Sequence, residues 1–334
     1  MTGHYVVFES VGKAVLKPFE VPRPANGEVL LENDYTVISA GTERANLMNL
    51  PNTSLKFPYH PGYSGFGRVI AIGDGVENAN IGDRALAVSS GHRSHAIQKA
   101  ADLIVIGDDR VGSLDAAFVV IGAMGLQGVR KLKLQLGESA MVIGLGILGV
   151  FATQFAAIDG AIPVIVSDYD EKRRDLALSL GADHAFSPDE EHLPEKIREF
   201  TGGRGADAIV EVTGSAVALQ DALTFVARQG RVALLGCTRV SDANIDFYQY
   251  VHKPGVSLIG AHTFVRPERD SYPGYWTARD DHRTMLAFIA AGRLQVRPVI
   301  SEIVSPERAP AIYTRLAEDK HPPLGIVFDW GKLR

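Results

Sequence analysis

The sequence has a single cysteine, Cys237, and no marked excess of either charge. One cysteine excludes a disulfide within the chain and fits a reducing compartment. The 34 basic and 39 acidic side chains leave a formal net charge of −5, which gives no support for binding to nucleic acid or to an anionic membrane. We therefore expect neither nucleic acid nor a membrane as a partner.

Two features of secreted and membrane proteins are also missing. Residues 1–10 do not combine a basic segment with an apolar one, as a secretory signal peptide does, so we expect a cytoplasmic protein. Residues 139–158 carry no charge and are long enough to span a bilayer. However, three spaced glycines, Thr153 and Gln154 interrupt this stretch, which favours a strand, a turn and a helix.

Short strands separated by glycine-containing turns dominate the first third of the chain. The apolar segments 5–8 and 14–16 flank residues 10–13, which predict a hairpin turn. Pro22 and Pro24 exclude a helix in the segment that follows. Many short strands with regular turns predict a small barrel-like domain.

Strands alternate with helices from about residue 113 onward, where Ser113 is the predicted N-cap of the first helix. This alternation predicts a parallel sheet with right-handed crossovers. The last strand, 324–328, is expected to return to the β-rich domain. The predicted strands of the parallel sheet are 140–143, 163–167, 184–186, 208–212, 231–235 and 257–259, and the predicted helices are 149–158, 171–180, 216–227, 283–292 and 306–317.

A glycine-rich turn follows the first of these strands and opens a helix. Gly144 permits the tight turn, Gly146 lets the backbone approach a pyrophosphate, and Gly149 lets the helix pack closely on the strand. The N–H groups at the start of the helix, including those of Ile147 and Leu148, favour phosphate binding. The turn matches the dinucleotide-binding pattern G-x-G-x-x-G as Gly144-Leu145-Gly146-Ile147-Leu148-Gly149.

Asp168 ends the next strand, 19 residues after Gly149. A carboxylate at this position accepts hydrogen bonds from both ribose hydroxyls and repels a 2′-phosphate. Tyr169 follows it, where an enzyme for the phosphorylated cofactor more often has a basic residue, and Arg173 is a candidate to lie over the adenine. These residues favour NAD as the cofactor over NADP.

The order of a β-rich N-terminal part, a central nucleotide domain and a returning C-terminal strand resembles the medium-chain dehydrogenase/reductases. The resemblance spans nearly the whole chain. It implies an α/β fold, with a GroES-like β-barrel catalytic domain from residues 1–120 and 293–334 and a Rossmann domain, a doubly wound parallel six-stranded sheet, from residues 121–292. Its local motifs are Ser39-Ala40-Gly41-Thr42-Glu43, residues 61–67, Gly82-Asp83-Arg84 and the glycine turn.

The chain departs from the zinc-containing members of this family at the metal ligands. Those members have a cysteine where this chain has Ala40, and a Gly-His-Glu triplet where it has Gly62-Tyr63-Ser64. Catalytic zinc needs about three protein ligands, so we expect no catalytic zinc and no metal site. One cysteine also excludes the four-cysteine zinc lobe of some relatives. The remaining pair of candidate ligands, His92 and His95, is predicted to lie in a polar loop.

The resemblance also implies candidate residues for the chemistry. Thr42 matches a hydroxyl that relays protons in the zinc relatives, and Tyr63 either hydrogen-bonds the reacting oxygen or fills the space of the metal. Glu43 is a candidate acid or base, or a partner of Arg44 or of a neighbour in its domain. His60 is a candidate to face the active cleft. Cofactor contacts are implied for Thr213, Gly236 and His262.

The expected function is hydride transfer between NAD(H) and a secondary alcohol or the matching ketone, with a polyol or sugar derivative as the small-molecule substrate and without zinc. Two alternatives stay open. One is an NAD(P)H-dependent quinone or enone reductase, against which Asp168 argues, and the other is a protein that binds NAD without catalysis. Because the sixth strand of this fold often pairs across a two-fold axis, we expect a homodimer.

Overall fold

The computed structural model describes residues 1–272, 274–319 and 322–333. Contacts divide the chain into two compact units: Met1–Ile121 with Leu286–Arg334, called unit 1, and Gly122–Met285, called unit 2. Each unit has strands and a hydrophobic core of its own, and each is described by itself.

Strands come first in the chain, strands and helices alternate in its middle part, and a helix lies between the last two strands. The elements up to residue 132 are β1 (Thr2–Ser10), β2 (Lys13–Glu20), β3 (Glu28–Ile38), α1 (Ala40–Leu47), β4 (Ser64–Ile72), β5 (Arg84–Leu86), β6 (His95–Lys99), α2 (Ser113–Ala117) and α3 (Val119–Leu132). The middle part contains β7 (Ala140–Ile143), α4 (Ile147–Ile158), β8 (Val164–Ser167), α5 (Glu171–Ser179), β9 (His184–Phe186), α6 (Leu193–Phe200), β10 (Ala206–Glu211), α7 (Ala216–Phe225), β11 (Val226–Leu234), β12 (Ser257–Gly260) and α8 (Ala278–Ala290). The final elements are β13 (Ile300–Val304), α9 (Ala309–Glu318) and β14 (Gly325–Asp329).

The strands of unit 1 form a hairpin and a mainly antiparallel sheet. β1 and β2 pair around the predicted turn, with Val7 opposite Val15, which confirms the hairpin. The larger sheet has the order β13-β14-β3-β4-β5, and β6 also pairs with β3. β14 runs antiparallel to β3 with Ile326 opposite Ile38, so the predicted return of the last strand is confirmed.

Apolar side chains of these strands are buried together with side chains of α1 and α9. Phe8 and Phe328 are fully buried, and Leu47 of α1 and Ile312 of α9 belong to the same cluster. Burying a large apolar side chain contributes about 1.5–3 kcal/mol, so the cluster fixes α1 firmly against the sheet. The helix that carries two of the predicted catalytic residues is therefore a rigid part of unit 1.

All six strands of unit 2 are parallel, in the order β12-β11-β10-β7-β8-β9. This confirms the predicted parallel sheet, and β7 and β8 are buried along their whole length. The direction in which successive strands are added reverses between β7 and β10. In doubly wound folds a ligand-binding crevice lies outside the carboxyl ends of the strands at such a reversal.

Local predictions differ from the structure at two places and agree at a third. Ser113 is not an N-cap, because it is the first residue of α2 and Gly112 takes the cap position. α6 was not predicted, although Pro194 in its first turn and the buried Leu193 and Ile197 are signals of an amphipathic helix. The uncharged stretch 139–158 forms β7, a turn and α4 as predicted. Over the described residues, no helix has the length and apolar character needed to cross a membrane.

Candidate functional site

The glycine turn after β7 is tightly packed at two positions and open at a third. Gly144 has a φ of +93°, and a Cβ on it would lie 2.7 Å from Cγ2 of Thr213. A Cβ on Gly149 would lie 1.9 Å from the carbonyl oxygen of Gly144, so only glycine allows α4 to approach the turn this closely. At Gly146 a Cβ would meet nothing within 4 Å. The turn therefore leaves free space beside Gly146.

The N-terminus of α4 adjoins that space. Gly146 is the N-cap of this 12-residue helix, its first turn contains no acidic residue, and no side chain caps it. The first N–H groups of a helix, here including those of Ile147 and Leu148, have no partner within the helix. Together with the positive end of the helix dipole, these groups favour the binding of an anion such as phosphate.

Asp168 is fixed beside the same turn, directly after β8. Its Oδ2 accepts a hydrogen bond from the N–H of Leu145 at 2.6 Å, and its Oδ1 accepts one from the N–H of Asp170 at 2.9 Å. Each carboxylate oxygen can accept a second hydrogen bond. The half-buried carboxylate is thus held in place with lone pairs left for a donor such as a ribose hydroxyl.

The residues after Asp168 differ in how they are held. Nη1 of Arg174 donates to the carbonyl oxygens of Asp168 at 2.7 Å and of Tyr169 at 3.0 Å. Arg173 lies 3.8 Å from a carboxylate oxygen of Asp170, and the Tyr169 side chain is 66% exposed. Positive charge from Arg174 therefore lies next to the backbone of Asp168.

Two predicted cofactor residues from later strands lie at the same end of the sheet. Thr213, after β10, contacts Gly144 as described above, and Gly236, after β11, donates its N–H to the carbonyl oxygen of Glu211 at 2.9 Å. His262, after β12, is exposed, and its ring accepts a hydrogen bond at 3.2 Å within its own turn. The structure thus brings the turns after β7, β10 and β11 together.

In unit 1, a hydrogen bond to the start of α1 holds Tyr63. The Tyr63 hydroxyl donates to Oγ of Ser39 at 2.7 Å. Ser39 is the N-cap of α1, yet its side chain caps no N–H group and is available to Tyr63. The N–H of Ser39 donates to Oε1 of Glu43 at 2.9 Å. Tyr63 and Glu43 are therefore joined through Ser39, and Thr42 lies in the first turn of the same helix.

Glu43 is 1% exposed and is the centre of a buried polar network. Its Oε2 lies 3.0 Å from Nε2 of His92 and accepts a hydrogen bond from the hydroxyl of Tyr313. Nδ1 of His92 lies 2.8 Å from Oγ1 of Thr36, which also accepts a hydrogen bond from Nε1 of Trp330 at 3.0 Å. Burial, and then the nearby Glu43, raise the pKa of Tyr313 well above its ordinary value, so the phenol stays protonated and donates.

The structure bears on two expectations about this region. His92 lies in a bend, as the predicted loop requires, but it is 1% exposed. The predicted loop is wrong for His95, which is 8% exposed and begins β6. Glu43 was expected to pair with Arg44 or with a neighbour in its domain, and its hydrogen-bond partners are neighbours within unit 1. Arg44 instead donates to the carbonyl oxygen of Ala317 at 3.4 Å.

His60, the remaining catalytic candidate, is exposed and packs its ring against Tyr5, with 5.4 Å between the ring centroids. Partial burial of the ring, and then the charge of Arg93, lower the pKa of His60. The imidazole is therefore neutral at pH 7 and can accept a hydrogen bond.

The side chains at the zinc-ligand positions of related enzymes do not form a ligand set. Ala40 offers only a methyl group, the Tyr63 hydroxyl is bound to Ser39, and Oγ of Ser64 donates to the carbonyl oxygen of Ala117 at 2.6 Å. Within residues 1–272, 274–319 and 322–333, no three His, Cys, Asp or Glu side chains are grouped to hold a metal. The residues present do not fit a catalytic zinc.

Known proteins are similar in sequence to large parts of this chain. The family described as "Zinc-binding dehydrogenase" matches residues 148–278. L-threonine 3-dehydrogenase of Pyrococcus horikoshii is 30% identical over 280 residues, covering 74% of this chain and 79% of that protein. D-guloside 3-dehydrogenase of Escherichia coli K12 is 29% identical over 201 residues, covering 60% of this chain and 57% of that protein.

Solved structures share the fold over nearly the whole chain. A provisionally assigned zinc-binding dehydrogenase of Sinorhizobium meliloti, bound to NADP, has a TM-score of 0.84 at 19% identity, covering 98% of this chain and 99% of that one. A short chain alcohol dehydrogenase of Escherichia coli CFT073, complexed with NADH, has a TM-score of 0.83 at 18% identity and the same coverage. Because it is 30% identical to the threonine dehydrogenase and covers 79% of that protein, the chain belongs to the medium-chain dehydrogenase/reductase family.

Proposed function

We propose that the chain is an oxidoreductase that transfers a hydride between NAD(H) and a secondary alcohol, or the matching ketone, of a polyol or sugar derivative, without catalytic zinc. The observation that carries the proposal is the crevice of unit 2, where open space at Gly146, the uncapped N-terminus of α4 and the carboxylate of Asp168 adjoin. Bound NAD would accept the hydride, and the protein would bind and orient the reactants. The threonine and guloside dehydrogenases support a CH–OH substrate.

The contacts of Tyr63 support binding of the substrate oxygen by side chains alone. When a hydride leaves the carbinol carbon, the hydroxyl proton must leave the forming carbonyl, so this oxygen needs a hydrogen-bond partner. The hydrogen bond that the Tyr63 hydroxyl donates to Oγ of Ser39 fixes the position of this hydroxyl, which supports a role for Tyr63 in orienting the substrate oxygen. Thr42 adds a second hydroxyl at a position that the family resemblance associates with proton transfer.

Asp168 supports NAD as the cofactor. The adenosine ribose of NAD offers two hydroxyl donors to this carboxylate, whereas the 2′-phosphate of NADP would place negative charge beside it. Two backbone N–H groups hold the carboxylate, so it cannot easily turn away from a phosphate.

Replacing Asp168 by serine is expected to weaken NADH binding about 10-fold and to tighten NADPH binding, because a repulsive charge is removed while Arg174 remains beside it. Calorimetric titration of both proteins with both nucleotides measures the change. Asp175→Asn, on an exposed position of α5, serves as the control and should change neither affinity. Tighter binding of NADPH than NADH by the unaltered protein would contradict the assignment of NAD.

The purified protein is expected to reduce NAD with secondary alcohols and to be insensitive to EDTA. Absorbance of NADH is followed with a panel of polyols and sugar derivatives, and in reverse with ketones, quinones and enones. Tyr63→Phe is expected to lower kcat/KM about 100-fold, because the reacting oxygen loses its hydrogen-bond partner.

Other results of this experiment each favour a different function. Turnover restricted to quinones or enones favours the reductase, and NADH binding without turnover of any compound favours a non-catalytic protein. Zinc in stoichiometric amount by elemental analysis, together with inactivation by EDTA, would show that the metal-free interpretation is wrong.

We further propose that the protein acts as a cytoplasmic homodimer. β12 lies at the edge of the sheet of unit 2 and its side chains are at least partly exposed. The backbone N–H and C=O groups of an edge strand can pair with those of another strand.

A further inference from the structure

Glu211, the last residue of β10, is 2% exposed and holds two turns at once. Its carbonyl oxygen accepts hydrogen bonds from the N–H groups of Leu235 and Gly236, each at 2.9 Å, directly after β11. Its Oε1 accepts the N–H of Thr213 at 2.7 Å and also the Thr213 hydroxyl. The N–H of Gly214 lies 3.1 Å from both carboxylate oxygens.

The turns that Glu211 holds are packed against each other and against the glycine turn. Cγ2 of Thr213 lies 2.7 Å from the Cβ position of Gly144. Gly214 has a φ of +67°, and a Cβ on it would lie 2.6 Å from the carbonyl oxygen of Cys237. The turn after β10 is therefore closely packed against the turn after β11 and reaches the glycine turn only through the methyl group of Thr213.

Because Glu211 is buried, the groups that donate hydrogen bonds to its carboxyl oxygens must lie at defined positions. Burial raises the pKa of Glu211, and the hydrogen bonds from Thr213 and Gly214 oppose that rise. A buried carboxylate is costly unless donors satisfy its oxygens, and when ionised it can only accept. The hydroxyl and N–H groups of the turn must therefore converge on Glu211. An apolar side chain would pack at this position without imposing such a geometry.

The two halves of a doubly wound sheet bind the two halves of a dinucleotide, on either side of the strand reversal. Strands β7, β8 and β9 carry the glycine turn and Asp168, which belong to the adenosine half. Strands β10, β11 and β12 carry Glu211 and the two turns that it holds. Glu211 thus lies on the side of the crevice that faces the nicotinamide half.

We infer that Glu211 is a positioning residue for the cofactor, which through Thr213 and Gly214 fixes the part of the crevice that receives the nicotinamide half of NAD. This inference rests on the proposed function, because it presupposes that unit 2 binds NAD(H). It assigns Glu211 no contact with the nucleotide. Disturbing Glu211 should weaken binding of the whole dinucleotide and leave binding of its adenosine half unchanged.

Glu211→Gln tests the inference, because it keeps the size of the side chain and removes one acceptor oxygen. Titration with NADH and with ADP, a probe of the adenosine half alone, is expected to show NADH binding weakened about 10-fold and ADP binding within twofold of the unaltered protein. Asp207→Asn is the matched control. Asp207 lies near the amino end of the same strand, where it accepts hydrogen bonds from the N–H and hydroxyl of Ser139, and its replacement should change neither affinity.

A purely structural role predicts a different pattern. Equal weakening of NADH and ADP binding, or no change in either, would overturn the inference. Should Glu211→Gln fail to fold, Thr213→Val removes one donor to the same carboxylate and is expected to show the same selective loss of NADH binding. If the unaltered protein binds ADP but neither NADH nor NADPH, the proposed function fails as well, so the two failures are distinguishable.

Discussion

Replacing Gly149 by alanine is expected to weaken NADH binding at least about 100-fold and to lower the free energy of unfolding of unit 2 by about 3 kcal/mol. The added Cβ would lie 1.9 Å from the carbonyl oxygen and 2.9 Å from the carbonyl carbon of Gly144. Backbone atoms cannot rotate out of the way as a flexible side chain can, so α4 must move away from the turn. Fluorescence titration with NADH and thermal unfolding measure the two effects.

Gly146→Ala separates the loss of binding from the loss of stability. A Cβ on Gly146 would meet nothing within 4 Å. The free energy of unfolding should therefore change by no more than about 1 kcal/mol, the usual effect of a substitution at an N-cap. The methyl group nevertheless enters the space left for the pyrophosphate, and NADH binding should fall about 10-fold or more. Gly107→Ala in unit 1, also with open space around its Cβ, is the control for both measurements. Normal NADH binding by Gly146→Ala would show that the pyrophosphate does not lie there.

The strand, turn and helix around Gly146 were predictable because their determinants are local in sequence. The apolar run 140–143 ends at Gly144, and β7 has these same bounds. The glycine turn occupies consecutive residues, and Asp168 follows the next predicted strand directly. Glu211, in contrast, was not singled out, because a single acidic residue in an apolar strand does not reveal which turn its side chain will hold.

The buried polar network was not predictable from any local pattern. Glu43 binds His92, 49 positions away, and Tyr313, 270 positions away, and such pairings follow only from tertiary structure. The polar residues around His92 and His95 favoured a polar loop and gave no sign that both rings are buried. The same limit applied to Tyr63, for which a space-filling role and a hydrogen-bonding role were equally consistent with the residues around it. Its hydroxyl contact with Ser39 appears only in the fold.

Replacing His92 by leucine is expected to lower the free energy of unfolding of unit 1 by about 3–5 kcal/mol, because the buried carboxyl group of Glu43 loses one of its hydrogen-bond partners. Glu43 would stay 1% exposed without the ring nitrogen that lies 3.0 Å from its carboxylate. Denaturant unfolding followed by the fluorescence of Trp330 measures the loss in unit 1, because Trp330 is fully buried there. The chain has two tryptophans, so the measurement is made with Trp276→Phe in every variant.

Tyr313→Phe, Glu43→Leu and the double variant of Glu43→Leu with His92→Leu show whether the loss comes from the buried carboxyl group that lost a partner. Tyr313→Phe removes one hydroxyl donor to Glu43. It is expected to lower the free energy of unfolding by about 1.5–3 kcal/mol, less than His92→Leu does, which is the usual range for a hydrogen bond to a charged group. The double variant Glu43→Leu with His92→Leu removes both partners. Its loss in the free energy of unfolding should be smaller than the sum of the losses in Glu43→Leu and in His92→Leu, because no carboxylate remains buried. Strictly additive losses would mean that Glu43 and His92 stabilise unit 1 independently.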